Sequence, residues 1–470
     1  MRKKLSWLLV LGLLTLLSAC GGGGGGGSSN PSATPSIIFT SKYGGTTNVV
    51  AQGVAIDSLG AIFLTGGFGP EVDFGGGVLA SSGESVFIAK LDQYGDHVWS
   101  RAIGSGMFNR GIDIAVDGNA DVIIIGSFSD SQINFGTPGD ELNLQGMSDL
   151  FVVKLDGDTG SHIWSASFGS TGGGTLGISV TTDTNNDVVV TGTIGTPSID
   201  FGGGNISNSG QFDIFLAKFS GTDGSHIFSA GYGDGNLQTP QDVITDSSNN
   251  IVLVGRHMGD VDFGGGVLAG ESLFSDIFIA KFNSSGAHVF SQTFSGPTGS
   301  IDDAQSVDVD SSDNILIAGT FQDSINFGGS LLNASATNDI DNFVLKVNSS
   351  GAHLFSQSYG DFNSAGKIDL AVNNSNEIVV SGVFEGTINF GGGVLTSSGS
   401  TDVYVATLTN AGAHISSGSY GDSLGQNLSD LAVDGDLRNV LFGNFDGALN
   451  FGGGIVTSDG DDMYLASIDP

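Results

Sequence analysis

The chain has one cysteine in 470 residues, Cys20. No disulfide can form within it, so the fold must rest on burial and hydrogen bonding. Basic residues are scarce: 14 Lys and Arg face 49 Asp and Glu, a net charge of −35. Such acidity disfavours nucleic acid and anionic lipid headgroups as partners, and fits solubility at a surface. After the N-terminal segment no apolar run is long enough for a membrane-spanning helix. No segment sustains a 3.6-residue apolar period either, which predicts almost no helix.

What is present begins with processing signals. "MRKK" and the apolar "LSWLLVLGLLTLL" read as a secretory signal over residues 1–19. "LSAC", ending at Cys20, resembles the lipobox of bacterial lipoproteins. That resemblance implies cleavage before Cys20, diacylation of its thiol and, with Gly21 next, an outer-membrane lipoprotein; whether it faces the periplasm or the outside stays open. Loss of Arg2, Lys3 and Lys4 leaves 11 basic residues and a net charge near −38. Residues 20–36, with "GGGGGGGSSNPSATPS", form a flexible tether.

Residues 37–470 are a repeat. A "[VIL]-[DN]-F-G" element recurs at Phe74, Phe135, Phe201, Phe263, Phe327, Phe390 and Phe451, at spacings of 61, 66, 62, 64, 63 and 61. Each copy holds four strand-like segments rich in β-branched and aromatic residues, separated by Gly, Asn, Asp and Ser. The unit is too short for an immunoglobulin sandwich of about 100 residues and fits one propeller blade. The last copy stops after its third strand. "IIFTSKYG", residues 37–44, aligns with "HLFSQSYG", residues 353–360, and supplies the missing fourth. A solenoid caps its ends; a ring joins them. The predicted fold is all-β: a closed seven-bladed β-propeller of four-stranded blades, with the N-terminal strand completing the last blade.

"SDIFIAKFNSSGAHVFSQTFSG" and "SDLFVVKLDGDTGSHIWSASFG" resemble the bacterial seven-bladed β-propeller-repeat family, with its D-x-F-V-A-K-x-D…G…W-S signature. The signature Asp falls at Asp149, Asp213, Asp276, Asp341, Asp402 and Asp462, and Ser85 departs from it. The Lys falls at Lys90, Lys154, Lys218, Lys281 and Lys346, with Thr407 and Ser467 departing. The resemblance implies a surface or secreted bacterial protein with no general catalytic activity and no active-site residues to transfer.

Six of the seven histidines open the fourth segment: His97, His162, His226, His288, His353 and, in the degenerate "HISS", His414. The fourth strand lies roughly 14 Å further from the axis than the first, and blades pack about 10 Å apart. Equivalent histidines there cannot share a metal whose nitrogens lie about 2.1 Å away. They read as rim packing, each sharing a strand face with the aromatic two residues on and bonded to a local carboxylate or carbonyl. His257 stands outside the repeat and shows no partners.

"GDSLG" at residues 421–425 matches a nucleophile pattern but lacks a following helix and a downstream His. "GGGTLG" at residues 172–177 lacks the βαβ context of a dinucleotide site. "LDGDTGSHIW" resembles a quinoprotein docking motif, but with only Trp99 and Trp164 in the blades a quinone cofactor is not expected. "DGNAD" and "DTNND", at residues 117–121 and 183–187, have calcium-loop spacing without the about six or more oxygens required. They read as turns, calcium being the one cofactor left open.

At the start of the innermost strand the aligned residues are Gly53, Asp113, Ser179, Asp242, Ser306, Asp369 and Asp430. Four carboxylates converging on the axis would form a negative funnel for a cation or other ligand. Alternatively each accepts backbone N–H groups of its own loop. The functional expectation is a non-catalytic, lipid-anchored binding or scaffold module, monomeric, for a glycan or an envelope or extracellular protein. An enzyme acting on polysaccharide and a structural adhesion or surface-coat protein are the alternatives.

Overall fold

Seven antiparallel four-stranded sheets follow one another along the chain in the computed structural model. It describes residues 36–44, 48–136, 139, 141–360, 366–435 and 438–469; the expected signal peptide, Cys20 and the expected tether before residue 36 lie outside them. No described residue lies in a helix. In the first blade Val49–Ile56, Ile62–Phe68, Ser85–Leu91 and His97–Ile103 pair in that order from the axis outward. Later blades begin at Arg110, Thr175, Gln238, Asp303, Ile368 and Asp430. Each innermost strand contacts the next, and Asp430–Val433 returns to Val49–Ile56. The ring is closed.

Closure uses the N-terminal strand as the sequence predicts. Ser36–Tyr43 pairs antiparallel with Asp462–Asp469, placing Phe39 opposite Ser467 and Tyr43 opposite Met463. The two middle strands of a blade are buried along all or nearly all of their length, as "IFLTGGF" and "SVFIAKL" are throughout in the first. Neighbouring blades cover both faces, so the core lies between blades. One cluster joins Ile123, Ile125, Leu150 and Val152 of the second blade to Val188, Val190, Phe215 and Ala217 of the third.

The "FGGG" segment, expected as a loop, turns a small two-stranded hairpin between the middle strands of each blade, as in Ser198–Asp200 with Asn205–Ser207. Its Asp or Asn nucleates the turn: Asp262 Oδ1 accepts from Gly264 N at 2.7 Å and Gly266 N at 3.1 Å. The middle glycine has a different reason. A Cβ on Gly265 would stand 2.1 Å from His288 Cε1, so the imidazole needs bare backbone there. The other outer histidines His97, His226, His353 and His414 cover Gly76, Gly203, Gly329 and Gly392 likewise, and Ile37 covers Gly453.

The histidine partner differs from the expected carboxylate or carbonyl. His288 Nε2 lies 3.0 Å from Ser291 Oγ, and His97, His162, His226, His353 and His414 meet the serine three residues on in the same way. A one-residue bulge after each histidine, at Val289 for instance, shifts the side-chain alternation. The histidine then shares a face with that serine, and the aromatic turns to the next blade.

Those aromatics link blades. Trp99 Nε1 donates to Gly157 O at 3.0 Å and Trp164 Nε1 to Gly221 O at 3.2 Å, each on the outer turn of the following blade. Phe228, Phe290 and Phe355 lie against Gly286, Gly351 and Gly412 of the equivalent turns, and Phe39 against Gly95 joins the seventh blade to the first. The docking contact read once in "LDGDTGSHIW" therefore recurs at every boundary but that between the sixth and seventh blades, with Phe replacing Trp.

Candidate axial binding site

The four ring carboxylates do converge on the axis, but each is already engaged across a blade boundary. Asp113 Oδ1 accepts from its neighbour Ile114 N at 2.7 Å, and Oδ2 from Val180 N of the next blade at 2.7 Å. Asp242 Oδ2 accepts from Val307 N at 2.8 Å, Asp369 Oδ2 from Leu431 N at 3.1 Å and Asp430 Oδ2 from Val54 N at 2.6 Å. Ser179 Oγ donates to Asp242 Oδ1 at 2.8 Å, and Ser306 Oγ accepts from Leu370 N at 3.2 Å. The N–H groups come from the next blade as well as from the acid's own strand, not from its loop. Gly53 adds no stitch. A Cβ there would lie 3.1 Å from Ile114 N, and the Glu84–Arg110 ion pair bridges that boundary instead.

A cavity of about 420 Å³ sits at the channel mouth over these residues. In the first five blades the ladder skips one residue just before the ring position, at Gln52, Ile112, Ile178, Gln241 and Gln305. Such a bulge re-aims its side chain, and all five line the cavity with Lys367 and Ser429. The five bulge residues read Gln, Ile, Ile, Gln, Gln in blade order, while the sixth blade, without a bulge, adds Lys367 two residues before its ring Asp369, and the seventh adds Ser429. Gln241 Nε2 lies 3.2 Å from Asp303 Oδ2, which Arg256 Nη1 also approaches at 3.3 Å.

Burial makes the mouth less negative than four freely ionised aspartates would be. Their oxygens meet solvent only through the channel, so protein rather than bulk water sets their ionisation. Burial pushes Asp242 up to about 8, with the Asp113 and Asp369 charges acting the same way. Burial pushes Asp113 up to about 6 against its hydrogen bonds and the Lys367 ammonium. Asp430 is raised well above the carboxylate range by burial and then by Asp369, with Lys367 opposing. Asp303 and Asp308 are each pushed up to about 6, again chiefly by burial.

This has a pH signature. The folded chain holds protons on Asp113, Asp242, Asp303 and Asp308 that the unfolded chain, with aspartate near about 3.9, releases. Raising the pH from about 4 through 8 therefore costs stability. Asp310 opposes at the acid end: its Asn314 and Lys346 partners outweigh burial and hold it down to about 2, so its contribution is lost below about 4. The melting temperature is expected to peak between about pH 4 and 5 and to fall toward pH 8.5, with Asp242→Asn flattening the alkaline limb. A profile that rises monotonically to pH 8 would contradict this ionisation pattern.

The remaining sequence candidates resolve as structure. In the D-x-N-x-D hairpins Lys154 Nζ lies 2.6 Å from Asp117 and 3.2 Å from Asp121, and Lys218 Nζ 2.7 Å from Asp183 and 3.4 Å from Asp187. An ammonium stands where calcium would. Among the described residues no three His, Cys, Asp or Glu side chains are placed to share a metal ion. His257 is buried and does have partners, Gly259 O at 2.8 Å and Thr293 Oγ1 at 2.9 Å. "GDSLG" is a loop in which Asp422 Oδ1 accepts from Leu424 N at 2.8 Å.

Sequence reading placed the ring aspartates but missed Gln52, Gln305, Lys367 and Asp303. Their only signal is the position one to three residues before the ring site, where the repeat stops agreeing with itself.

No family model matches the chain. It is 22% identical over 425 residues to the "Uncharacterized WD repeat-containing protein L264" of Acanthamoeba polyphaga mimivirus, spanning 76% of this chain but only 28% of that protein. The solved structure of U3-55K superposes with a TM-score of 0.50 at 10% identity, covering 93% of this chain and 100% of that one. A quinohemoprotein alcohol dehydrogenase of Pseudomonas putida HK5 reaches a TM-score of 0.45 at 9% identity, covering 92% of this chain and 76% of that one. The likeness to U3-55K is one of fold alone.

Proposed function

We propose that the chain is a non-catalytic binding module, held at the outer membrane through lipidated Cys20 and the tether, which presents the axial mouth and its surrounding loops to a glycan or an envelope or extracellular protein. One observation carries the reading. Positions that pack repeat from blade to blade, whereas the mouth lining changes around the ring, with Gln or Ile at the five bulges and Lys367 and Ser429 from the last two blades. A scaffold needs no such divergence, and recognition of an asymmetric ligand does. Each ring carboxylate is bonded through both oxygens, which argues against a general base among these four and supports the non-catalytic reading.

The test is retention of the labelled protein on isolated cell envelopes and extracted surface polysaccharide. Ser429→Trp, which fills the mouth, should abolish retention, while the rim variant Asp73→Asn should not change it. Equal retention of all three proteins would refute the axial reading. Cys20→Ser should move the protein from the membrane to the soluble fraction; continued membrane association would refute the anchor.

A further inference from the structure

The mouth is amphipathic around its circumference. Ile112 and Ile178, in adjacent blades, form one apolar wall, and the other five blades present amides, an ammonium and a hydroxyl. Several of these groups are uncommitted. Gln305 uses its Oε1 on Ile368 N at 3.0 Å, which leaves its NH₂ to donate. Among the described residues the side chains of Gln52 and Ser429 make no hydrogen bond and Lys367 makes no ion pair. The volume of about 420 Å³ lies within the range of small-ligand pockets, roughly 300–1,000 Å³.

Ligand classes can be compared against this lining. A divalent cation needs several free oxygens, and the ring oxygens are occupied by N–H donors. For an anion, one ammonium stands among five aspartic side chains, which offer it acceptor oxygens whether ionised or not. A wholly apolar molecule would strand the amides and the ammonium without partners. A molecule with an apolar C–H face and a rim of hydroxyls leaves neither wall unmatched.

Building on the reading of the mouth as a binding site, we propose that the cavity receives one neutral sugar unit. Its C–H face lies on Ile112 and Ile178, and its hydroxyls meet Gln52, Gln305, Ser429 and Lys367.

The experiment is calorimetric titration of the full chain with methyl glycosides of neutral hexoses and N-acetylhexosamines. Methyl glucuronide, spermidine and Ca²⁺ serve as contrasts. At least one neutral glycoside should bind one to one. Its affinity should fall about tenfold in Gln52→Ala, the loss of one good hydrogen bond, and vanish in Ser429→Trp, both variants keeping the parent melting temperature. Gln52→Asn, a milder change, covers the case in which Gln52→Ala is unstable and should also weaken binding. The proposal is overturned if no neutral glycoside binds, if only glucuronide, spermidine or Ca²⁺ binds, or if binding survives Ser429→Trp. Should the glycosides fail while envelope retention still depends on Ser429, the sugar proposal falls and the axial reading stands.

Discussion

Deleting residues 36–44 should open the ring. Those residues contribute Phe39 and Ile37 to neighbouring cores and bury Tyr43, whose ring centroid lies 5.0 Å from that of Phe74. At about 1.5–3 kcal/mol per large side chain buried, the loss is on the order of 5 kcal/mol before any ladder hydrogen bond is counted. That is comparable with the entire stability of many domains, about 5–15 kcal/mol. The deletion also uncovers Asp462–Asp469, buried along nearly all its length, as a fresh unpaired edge that invites association. The expected result is a large fall in melting temperature with oligomers on size-exclusion chromatography, reversed by adding a peptide of residues 36–44. A truncated protein that stays monomeric at the parental melting temperature would show that another contact closes the ring.

That strand was legible because repeats make ends comparable: "IIFTSKYG" aligns with a complete outer strand, and the last copy lacks one. The convergence of Asp113, Asp242, Asp369 and Asp430 was legible for the same reason, as innermost strands share an axis. What those carboxylates do there was not. Val180, Val307, Leu431 and Val54 are each more than sixty residues from the acid they bond, and no local pattern reports a partner one blade away. The bulges were hidden too. Alternation predicts that His97 shares a face with Trp99, and one inserted residue sends the aromatic to the next blade and gives the histidine to Ser100. The same kind of insertion at Gln52, Ile112, Ile178, Gln241 and Gln305 builds the mouth. A sequence with no gap in its repeat cannot show which of two strands carries the extra residue.

Breaking one of the buried lysine–aspartate pairs within a blade, whose lysine also reaches the next blade, should cost nearly as much as losing the closing strand. Lys218 and Asp183 have side chains 4% and 0% exposed and meet at 2.7 Å. Lys154–Asp117, Lys281–Asp246 and Lys346–Asp310 repeat the pair at 2.6, 2.8 and 2.7 Å. These lysines also donate to the outer turn of the next blade, as Lys154 Nζ does to Gly221 O at 2.9 Å and Lys281 Nζ to Ser349 O at 3.2 Å. The seventh blade has Ser467 in place of lysine, and Arg438 takes over, binding Asp434 and donating to Gln93 O of the first blade at 2.6 Å.

The sixth blade has Asn373, Thr407 and Ser416 where the others have acid, cation and aromatic. All three departures face the seventh blade. Its two outer strands, Asp462–Asp469 and Ser36–Tyr43, come from opposite ends of the described chain, so no outer turn joins them to receive a lysine or an aromatic. A buried cation without its acceptors is costly, and uncharged residues replace the set together. Asp183→Ala, which strands the Lys218 ammonium, should therefore destabilise by about 3–5 kcal/mol in chemical denaturation. The double change Asp183→Asn with Lys218→Thr, which copies the sixth blade, should recover part of that loss. Thr407→Lys, which adds a cation where no turn receives it, should destabilise the otherwise unchanged protein. If Asp183→Ala proves neutral, or Thr407→Lys stabilises, these pairs do not hold the lysines that reach the next blade.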